Sequence, residues 1–460
     1  MANHHENIAL LSATELKRRL EKRELSPVEV VEACLRQVEK HNPTINALVT
    51  LNNRALDEAR ELEKQSPAPE RPLYGLPVGI KDVTEVAGLR TTYGSPLYAN
   101  HVPQEDAWVV QRLRQAGAII LGKTNTPEFA AGGHTFNEVF GPTRNPWNPD
   151  LSPGGSTGGG AAALITGMVA LAQGTDLGGS LRIPASFCGI VGLRPSPGLV
   201  ATYPSDYLWD VLQVSGPMAR TVDDLALMLQ AISGPCPRVP VSHPPQSRDF
   251  VAAVQQPLPE GMRVAYCRDI AGIGVDAAVE SVCRVAAFDL QQDGVVVEEI
   301  DFDLSFAREP FLALRGYWMM AHHLHRLDQL DRLGDNVAGN IRLGLDVTTR
   351  ELAAAERARN RLWLMFHDFF EKYDYLLTPT MAVPPFPVEQ NYPGTIAGKK
   401  MKTYIDWIAP TFVISMTGLP AGSAPCGLDN RGLPVGMQVI GTQFGEERVL
   451  QLMRVIQERN

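Results

Sequence analysis

The chain predicts an α/β fold in which helices cover a mixed or parallel sheet. Two observations carry this. Short apolar runs alternate with stretches of helical periodicity, the strand–helix–strand rhythm that such sheets produce. A hydrophobic content of 44% against 20% charged residues, over 460 residues, supplies apolar surface for a substantial core.

From the N-terminus, Ser12 and Glu15 make a capping-box pattern ahead of an amphipathic stretch, and Ser26-Pro27 opens a second helix reaching about His41. A third helix covers Arg54 to Gln65 and stops in the proline-rich SPAPERP loop. LPVGIKDV then reads as a buried strand. Asp106 is placed to cap a helix over 107–116, and the apolar strand GAIILGK follows it. Beyond a glycine-rich segment, AAALITGMVALA reads as a helix of small residues, and Thr221 with Asp224 begins another, TVDDLALMLQAI. Seven prolines between Gly234 and Gly261 mark a long surface connection, with a domain linker as the other reading. MRVAYC and VVVEEI read as strands, and long helices are expected over 305–332 and 348–372. There is no internal repeat and no low-complexity tract.

Several function classes are excluded early. A net charge of −9 argues against a nucleic-acid surface, which needs clustered Lys and Arg. The six cysteines (34, 188, 236, 267, 283, 426) are scattered with no C-x-x-C pair, so reduced thiols in a cytoplasmic protein are expected. The N-terminus has no basic start followed by an apolar run, and no signal peptide is expected. No stretch approaches the roughly 18 apolar residues that a membrane span needs.

Chemistry concentrates in SPGGSTGGGAAALITGMVALAQGTDLGGSLRIPASFCG, which holds Ser156 and Ser180, and in LYGLPVGIKDV, which holds Lys81. An amide is a poor electrophile with a poor leaving group. Its hydrolysis needs an activated nucleophile, an oxyanion site and a proton donor. Gly178 and Gly179 let the backbone before Ser180 turn so that consecutive N–H groups converge. A plain glycine turn with an exposed serine has the same local signature. Lys81 shares a strand face with Gly79 and Val83, while Asp82 points the other way, so a buried Lys81 need not be held charged by its neighbour. A surface lysine ending a strand is the alternative. Asp176 and Arg182 flank the Ser180 loop and are expected to hold its shape.

These segments, with GKTNTPEFA (122–130), NPWNP (145–149), DYLLTPT (374–380) and GLPAGSAPCGLDNRGLPVGMQVIG (418–441), closely resemble the amidase signature family along nearly the whole chain. The resemblance implies an α/β/α sandwich around a large central mixed sheet. It also implies one domain over 1–460, with the segment near 240–330 as a peripheral subdomain. It implies a Ser–cis-Ser–Lys triad: Ser180 as nucleophile, Ser156 as proton relay after a cis peptide bond, and Lys81 as base. The N–H groups of Leu177, Gly178, Gly179 and Ser180 would form the oxyanion hole. The acyl-contact loop falls on Ala130, Ala131, Gly132 and Gly133. Thr157 departs from the family, which more often has serine or glycine there; its hydroxyl is expected to keep a hydrogen bond and its methyl to narrow the site. Neither a cofactor nor a metal is implied.

Competing signals are weaker. Residues 154–158 match G-x-S-x-G, but the nucleophile elbow of that motif needs a preceding strand, and NPWNPDLSP with three prolines cannot be a central one. No G-K-[ST] follows, so the loop is not a phosphate cradle. His322, His323 and His325 cluster in MMAHHLHRL, where His322 and His325 could share a helix face, but no carboxylate or cysteine pattern completes a metal site. Asp223-Asp224 and Glu298-Glu299 read as cap and surface acids.

The expected function is hydrolysis of a small neutral amide or carbamate, aryl-bearing as in bacterial aryl-acylamidases and urethanases, with esterase activity alongside. The enzyme would act as a monomer or homodimer, without nucleic acid or membrane. Tyr203, Tyr207 and Trp209, with Phe311, Tyr317, Trp318, Met319 and Trp407, are candidate walls for a leaving-group pocket, and no Arg or Asp clamp for a charged substrate is evident. The alternative is the glutaminase component of a glutamyl-tRNA amidotransferase complex.

Overall fold

The computed structural model describes residues 7–243 and 248–460. Its strands are β1 (Leu48–Leu51), β2 (Pro77–Lys81), β3 (Ile119–Thr124), β4 (Leu171–Asp176), β5 (Val191–Arg194), β6 (Val214–Ala219), β7 (Arg263–Tyr266), β8 (Val296–Glu299), β9 (Tyr375–Pro379), β10 (Thr395–Ile396), β11 (Lys399–Lys400), β12 (Ala421–Leu428) and β13 (Pro434–Ile440). Its helices are α1 (Ala13–Glu21), α2 (Pro27–Ile45), α3 (Ala55–Glu63), α4 (Trp108–Gln115), α5 (Gly158–Ile165), α6 (Arg182–Cys188), α7 (Val222–Ile232), α8 (Phe250–Val254), α9 (Ala277–Asp289), α10 (Arg308–His323), α11 (Asp335–Asp346), α12 (Thr349–Phe370), α13 (Ala409–Ser415) and α14 (Glu446–Glu458).

Among the described residues, eleven strands form one sheet in the order β1-β3-β2-β4-β6-β5-β12-β13-β9-β7-β8. β2 runs parallel to β3 and β4, and β7 runs parallel to β8 and β9. The central pairings from β4 to β13 are antiparallel, so the sheet is mixed. Side chains alternate faces along a strand, and here both faces are apolar. Val78 and Ile80 of β2, Leu377 of β9 and Val439 of β13 pack with Leu16 of α1, Leu225 of α7 and Leu452 of α14. On the other face, Leu121 of β3 and Ala172 of β4 meet α2 and α5. Leu376 of β9 and Ile440 of β13 meet α10, α12 and α13 there. Each fully buried aliphatic side chain is worth about 1.5–3 kcal/mol, and two such layers account for the α/β/α sandwich.

Several elements differ from expectation. AAALITGMVALA is not one helix: α5 ends at Ile165, and Leu171 opens β4. The apolar stretch runs on past the end of α5 into Leu171 and Ala172, and every residue of β4 is buried, so no alternation in exposure marks where the strand begins. Asp106 does not cap α4; its carboxylate accepts from the Ala87 N–H at 2.8 Å and from Arg114 Nε at 3.0 Å. α2 continues through Pro43 to Ile45. The helix expected over 305–332 is divided, with α10 giving way at Leu324 to a 3-10 segment. At Ser12 the capping box is half made, because the Glu15 carboxylate pairs with Arg18 and Arg19 instead. The proline-rich stretch after Gly234 holds the short α8, and Pro244 and Pro245 lie outside the described residues.

Candidate active site

β2 ends at Lys81, and alternation sends Asp82 to the opposite side. There its carboxylate accepts from the Thr92 hydroxyl at 2.5 Å and lies 3.3 Å from Lys123 Nζ. Lys81 is fully buried. Its Nζ donates to Ser156 Oγ at 2.6 Å, to Thr175 Oγ1 at 2.9 Å and to the Thr175 carbonyl at 3.5 Å. These partners are all neutral. Burial penalises the charged amine and lowers its pKa from 10.5 to about 7, against the opposing field of Asp176. A lysine held this way can take up and return a proton near neutral pH.

Ser156 is fully buried ahead of α5, and the Gly155–Ser156 peptide bond is cis. Thr135 fixes the loop on both sides: its hydroxyl donates to the Gly154 carbonyl at 2.9 Å and accepts from the Gly158 N–H at 3.1 Å. Thr157 departs from expectation. Its hydroxyl has no hydrogen-bond partner among the described residues, and its side chain packs against Gly160 and Gly174, away from the serine cavity.

The second serine loop hangs from Asp176, the last residue of β4. Asp176 accepts from the N–H groups of Gly179 at 2.8 Å and Leu181 at 3.1 Å. Arg182 grips the same carboxylate through two bonds, at 2.9 and 3.0 Å. Arg194, fully buried on β5, donates to the Asp176 and Leu212 carbonyls. Burial alone would raise the Asp176 pKa, but Arg182 and Arg194 outweigh it and hold the carboxyl far below its ordinary range.

Gly179 sits at φ +126°, where a Cβ would lie 2.2 Å from Thr411 Oγ1. That hydroxyl donates to the Gly178 carbonyl at 2.6 Å, so α13 buttresses the turn from behind. The turn leaves the N–H groups of Leu177, Gly178 and Ser180 without a partner among the described residues, while the Gly179 N–H is taken by Asp176. Three donors are therefore available to a developing oxyanion. Ser180 is partly exposed, and its carbonyl accepts from the Thr157 N–H at 3.3 Å, which ties the two serine loops together.

Ser156 and Ser180 face one small cavity of about 10 Å³, walled in part by Ala130, Ala131 and Thr175. It adjoins a cavity of about 400 Å³ that shares Phe129, Ala130, Thr175, Gln213 and Trp318 and is also lined by Tyr98 and Tyr203. Gly132 and Gly133 lie behind the wall, where a Cβ on Gly133 would sit 2.5 Å from the Trp407 ring; their smallness serves packing. Trp407 is fully buried, and Phe311 is stacked on Phe412 at 4.1 Å, so neither lines the pocket. Trp209 is 67% exposed, and Tyr317 meets Tyr207 edge-on toward solvent. Trp318 and Met319 do reach the cavity.

The residues before Ser156 form a loop pinned by the Asn145 amide rather than a strand, so no nucleophile elbow forms. His322 and His325 are divided by the end of α10 and each lies 4.0 Å from a different carboxylate, Asp210 and Asp206. Among the described residues no group of three His, Cys, Asp or Glu is placed to hold a metal ion, and no helix is long and apolar enough to cross a membrane. Sequence reasoning missed Thr175, Arg194 and Arg315. Thr175 is recognisable only once β4 is paired with β2, and a single arginine in an apolar segment carries no local sign of burial.

A family model for amidases matches residues 29–450. The chain belongs to the amidase signature family. As an amidohydrolase of this family it is 35% identical to the A component of the glutamyl-tRNA(Gln) amidotransferase of Moorella thermoacetica, across 96% of this chain and 95% of that one. It is equally 35% identical to an acylamidase of Rhodococcus erythropolis, across 97% of this chain and 94% of that one. Among solved structures it resembles a bacterial aryl acylamidase of the amidase signature family, with a TM-score of 0.90 at 27% identity, covering 98% of this chain and 97% of that one. A 6-aminohexanoate cyclic dimer hydrolase is similar, with a TM-score of 0.88 at 27% identity and the same coverage.

Proposed function

We propose that this amidase hydrolyses small aryl-bearing amides and carbamates through Ser180, Ser156 and Lys81, by way of a covalent acyl-enzyme. The observation that carries the reading is the buried Lys81 amine, 2.6 Å from Ser156 Oγ and free of any carboxylate hydrogen bond. Neutral Lys81 accepts the Ser156 proton while Ser156 accepts that of Ser180, and Ser180 Oγ bonds to the scissile carbonyl carbon. The carbonyl oxygen gains the electron pair and meets the N–H groups of Leu177, Gly178 and Ser180. When the C–N bond breaks, the departing nitrogen takes a proton from Ser156, which recovers one from Lys81. Water then enters by the same relay and releases the acid.

Asp176 and Arg182 position the oxyanion loop without touching the substrate, and Ala130 and Ala131 contact the acyl side. The aryl amine lies in the 400 Å³ cavity, against Tyr98, Phe129, Tyr203 and Trp318. Six buried free cysteines support a cytoplasmic setting. The test is catalytic efficiency on acetanilide, methyl N-phenylcarbamate and glutamine under one condition. The aryl substrates are expected to exceed glutamine. A second reading, glutamine hydrolysis within an amidotransferase, is favoured by the Moorella relative and would be promoted by a glutamine preference of about tenfold, or 1.4 kcal/mol.

A further inference from the structure

The cavity holding Ser156 and Ser180 meets the larger cavity at Phe129, Ala130, Thr175, Gln213 and Trp318, which line both. At about 10 Å³ the smaller one admits roughly one water-sized group. A scissile carbonyl that reaches Ser180 fills it, so the atom bonded to the carbonyl carbon, the nitrogen of an amide, lies where the cavities meet. Polar side chains are few at that junction. The Thr175 hydroxyl is engaged by Lys81 Nζ at 2.9 Å, and Trp318 Nε1 donates to Asp210 Oδ2 at 2.6 Å. Phe129 and Ala130 offer no side-chain acceptor. Gln213 remains. Its side chain is half-buried, and its amide has no hydrogen-bond partner among the described residues.

The sheet sets the direction of this side chain. β4 pairs antiparallel with β6, with Thr175 opposite Ser215 and Asp176 opposite Val214. Cross-strand partners share a face, and so do residues two apart along a strand. Gln213, one residue ahead of β6, therefore lies on the face of Thr175, where Lys81 is held, and beside the start of the oxyanion turn at Leu177. Its backbone is fixed as well. The Asp210 carboxylate accepts from the N–H groups of Leu212 at 2.7 Å and Gln213 at 3.1 Å. The same carboxylate holds Trp318, so one acid positions two walls of the junction.

We propose that Gln213 Oε1 accepts the scissile N–H of the substrate, which favours amides and carbamates that carry an N–H over N-alkylated amides and esters. This rests on the relay proposed above. As the carbonyl carbon becomes tetrahedral, the nitrogen turns pyramidal, and its lone pair must face Ser156 to receive the proton. An acceptor on the N–H holds that orientation. The bond strengthens as the nitrogen gains positive charge, since charge-assisted hydrogen bonds are roughly twice as strong as neutral ones. An ester has no such hydrogen and gains nothing from the acceptor.

The experiment measures kcat/KM for 4-nitroacetanilide and 4-nitrophenyl acetate, which differ only in N–H against O at the leaving atom, with wild type, Gln213→Met and Gln213→Glu. Gln213→Met is expected to lower amide efficiency about 10- to 100-fold, the range for a hydrogen bond to a charged group, while the ester changes by less than about threefold. Gln213→Glu keeps an acceptor oxygen and is expected to retain most of the amide-to-ester ratio. Thermal unfolding of Gln213→Met should match wild type, because the side chain has no partner to lose. Parallel losses on amide and ester, or Gln213→Glu behaving as Gln213→Met, would overturn the assignment. If no anilide is turned over, the aryl-amide reading fails by itself, and the ratio is read on glutamine against glutamate γ-methyl ester. Its collapse in Gln213→Met then supports the N–H contact, and its survival overturns it.

Discussion

The pH dependence of turnover follows directly from the setting of Lys81. Its amine is fully buried among hydroxyl and carbonyl partners, and its pKa falls from 10.5 to about 7. At 1.36 kcal/mol per unit, this is a preference of about 5 kcal/mol for the neutral form. The proposed relay needs that form. Below pH 7 the amine is protonated and kcat/KM should fall about tenfold per unit, to about one hundredth of its plateau at pH 5. Above pH 7 the curve should level. Stability carries the matching sign: between pH 7 and 10.5 the unfolded chain binds a proton that the folded lysine does not, so unfolding becomes harder as pH rises through this window. The assay is initial-rate kcat/KM on 4-nitroacetanilide from pH 5 to 10 at constant ionic strength. A rise continuing to pH 10 would mean an ordinary lysine, and a flat profile would mean that no such base titrates.

Lys81→Met should lower amide turnover by about 10²–10⁴-fold, with esters losing less, while urea unfolding shows a fold at least as stable because a buried amine has been removed. Asp176→Asn leaves Arg182 and Arg194 facing each other without a carboxylate, and should cost about 3–5 kcal/mol in the same unfolding measurement. In Gly179→Ala the new methyl would meet Thr411 Oγ1 at 2.2 Å in a backbone conformation that disfavours any side chain. Turnover should fall while binding of a competitive inhibitor, followed by fluorescence, changes less.

Local signals in the chain carried the helix starts at Ser26 and Thr221 and the strand ending at Lys81, since caps and short apolar runs are written in neighbouring residues. The strand at 171–176 was illegible because total burial erases alternation. Asp106 shows the limit of capping logic: a carboxylate at a helix start can be claimed by a distant N–H, here that of Ala87. Lys81, Ser156, Ser180, Asp176 and Arg182 stood out through glycine context and family spacing. Thr175, Arg194 and Arg315 did not, because their roles come from strand pairing and from a helix more than 130 residues beyond the serines, where nothing local marks the contact. The setting of Thr157 is equally non-local, since its side chain packs against Gly174 on a neighbouring strand.

The central claim is that Ser180 becomes covalently acylated. Labelling the purified enzyme with a fluorophosphonate, then mapping the adduct by peptide mass spectrometry, tests it most directly. The adduct is expected on Ser180, absent in Ser180→Ala and strongly slowed in Lys81→Met; labelling of Ser156, or undiminished turnover by Ser180→Ala, would contradict the account.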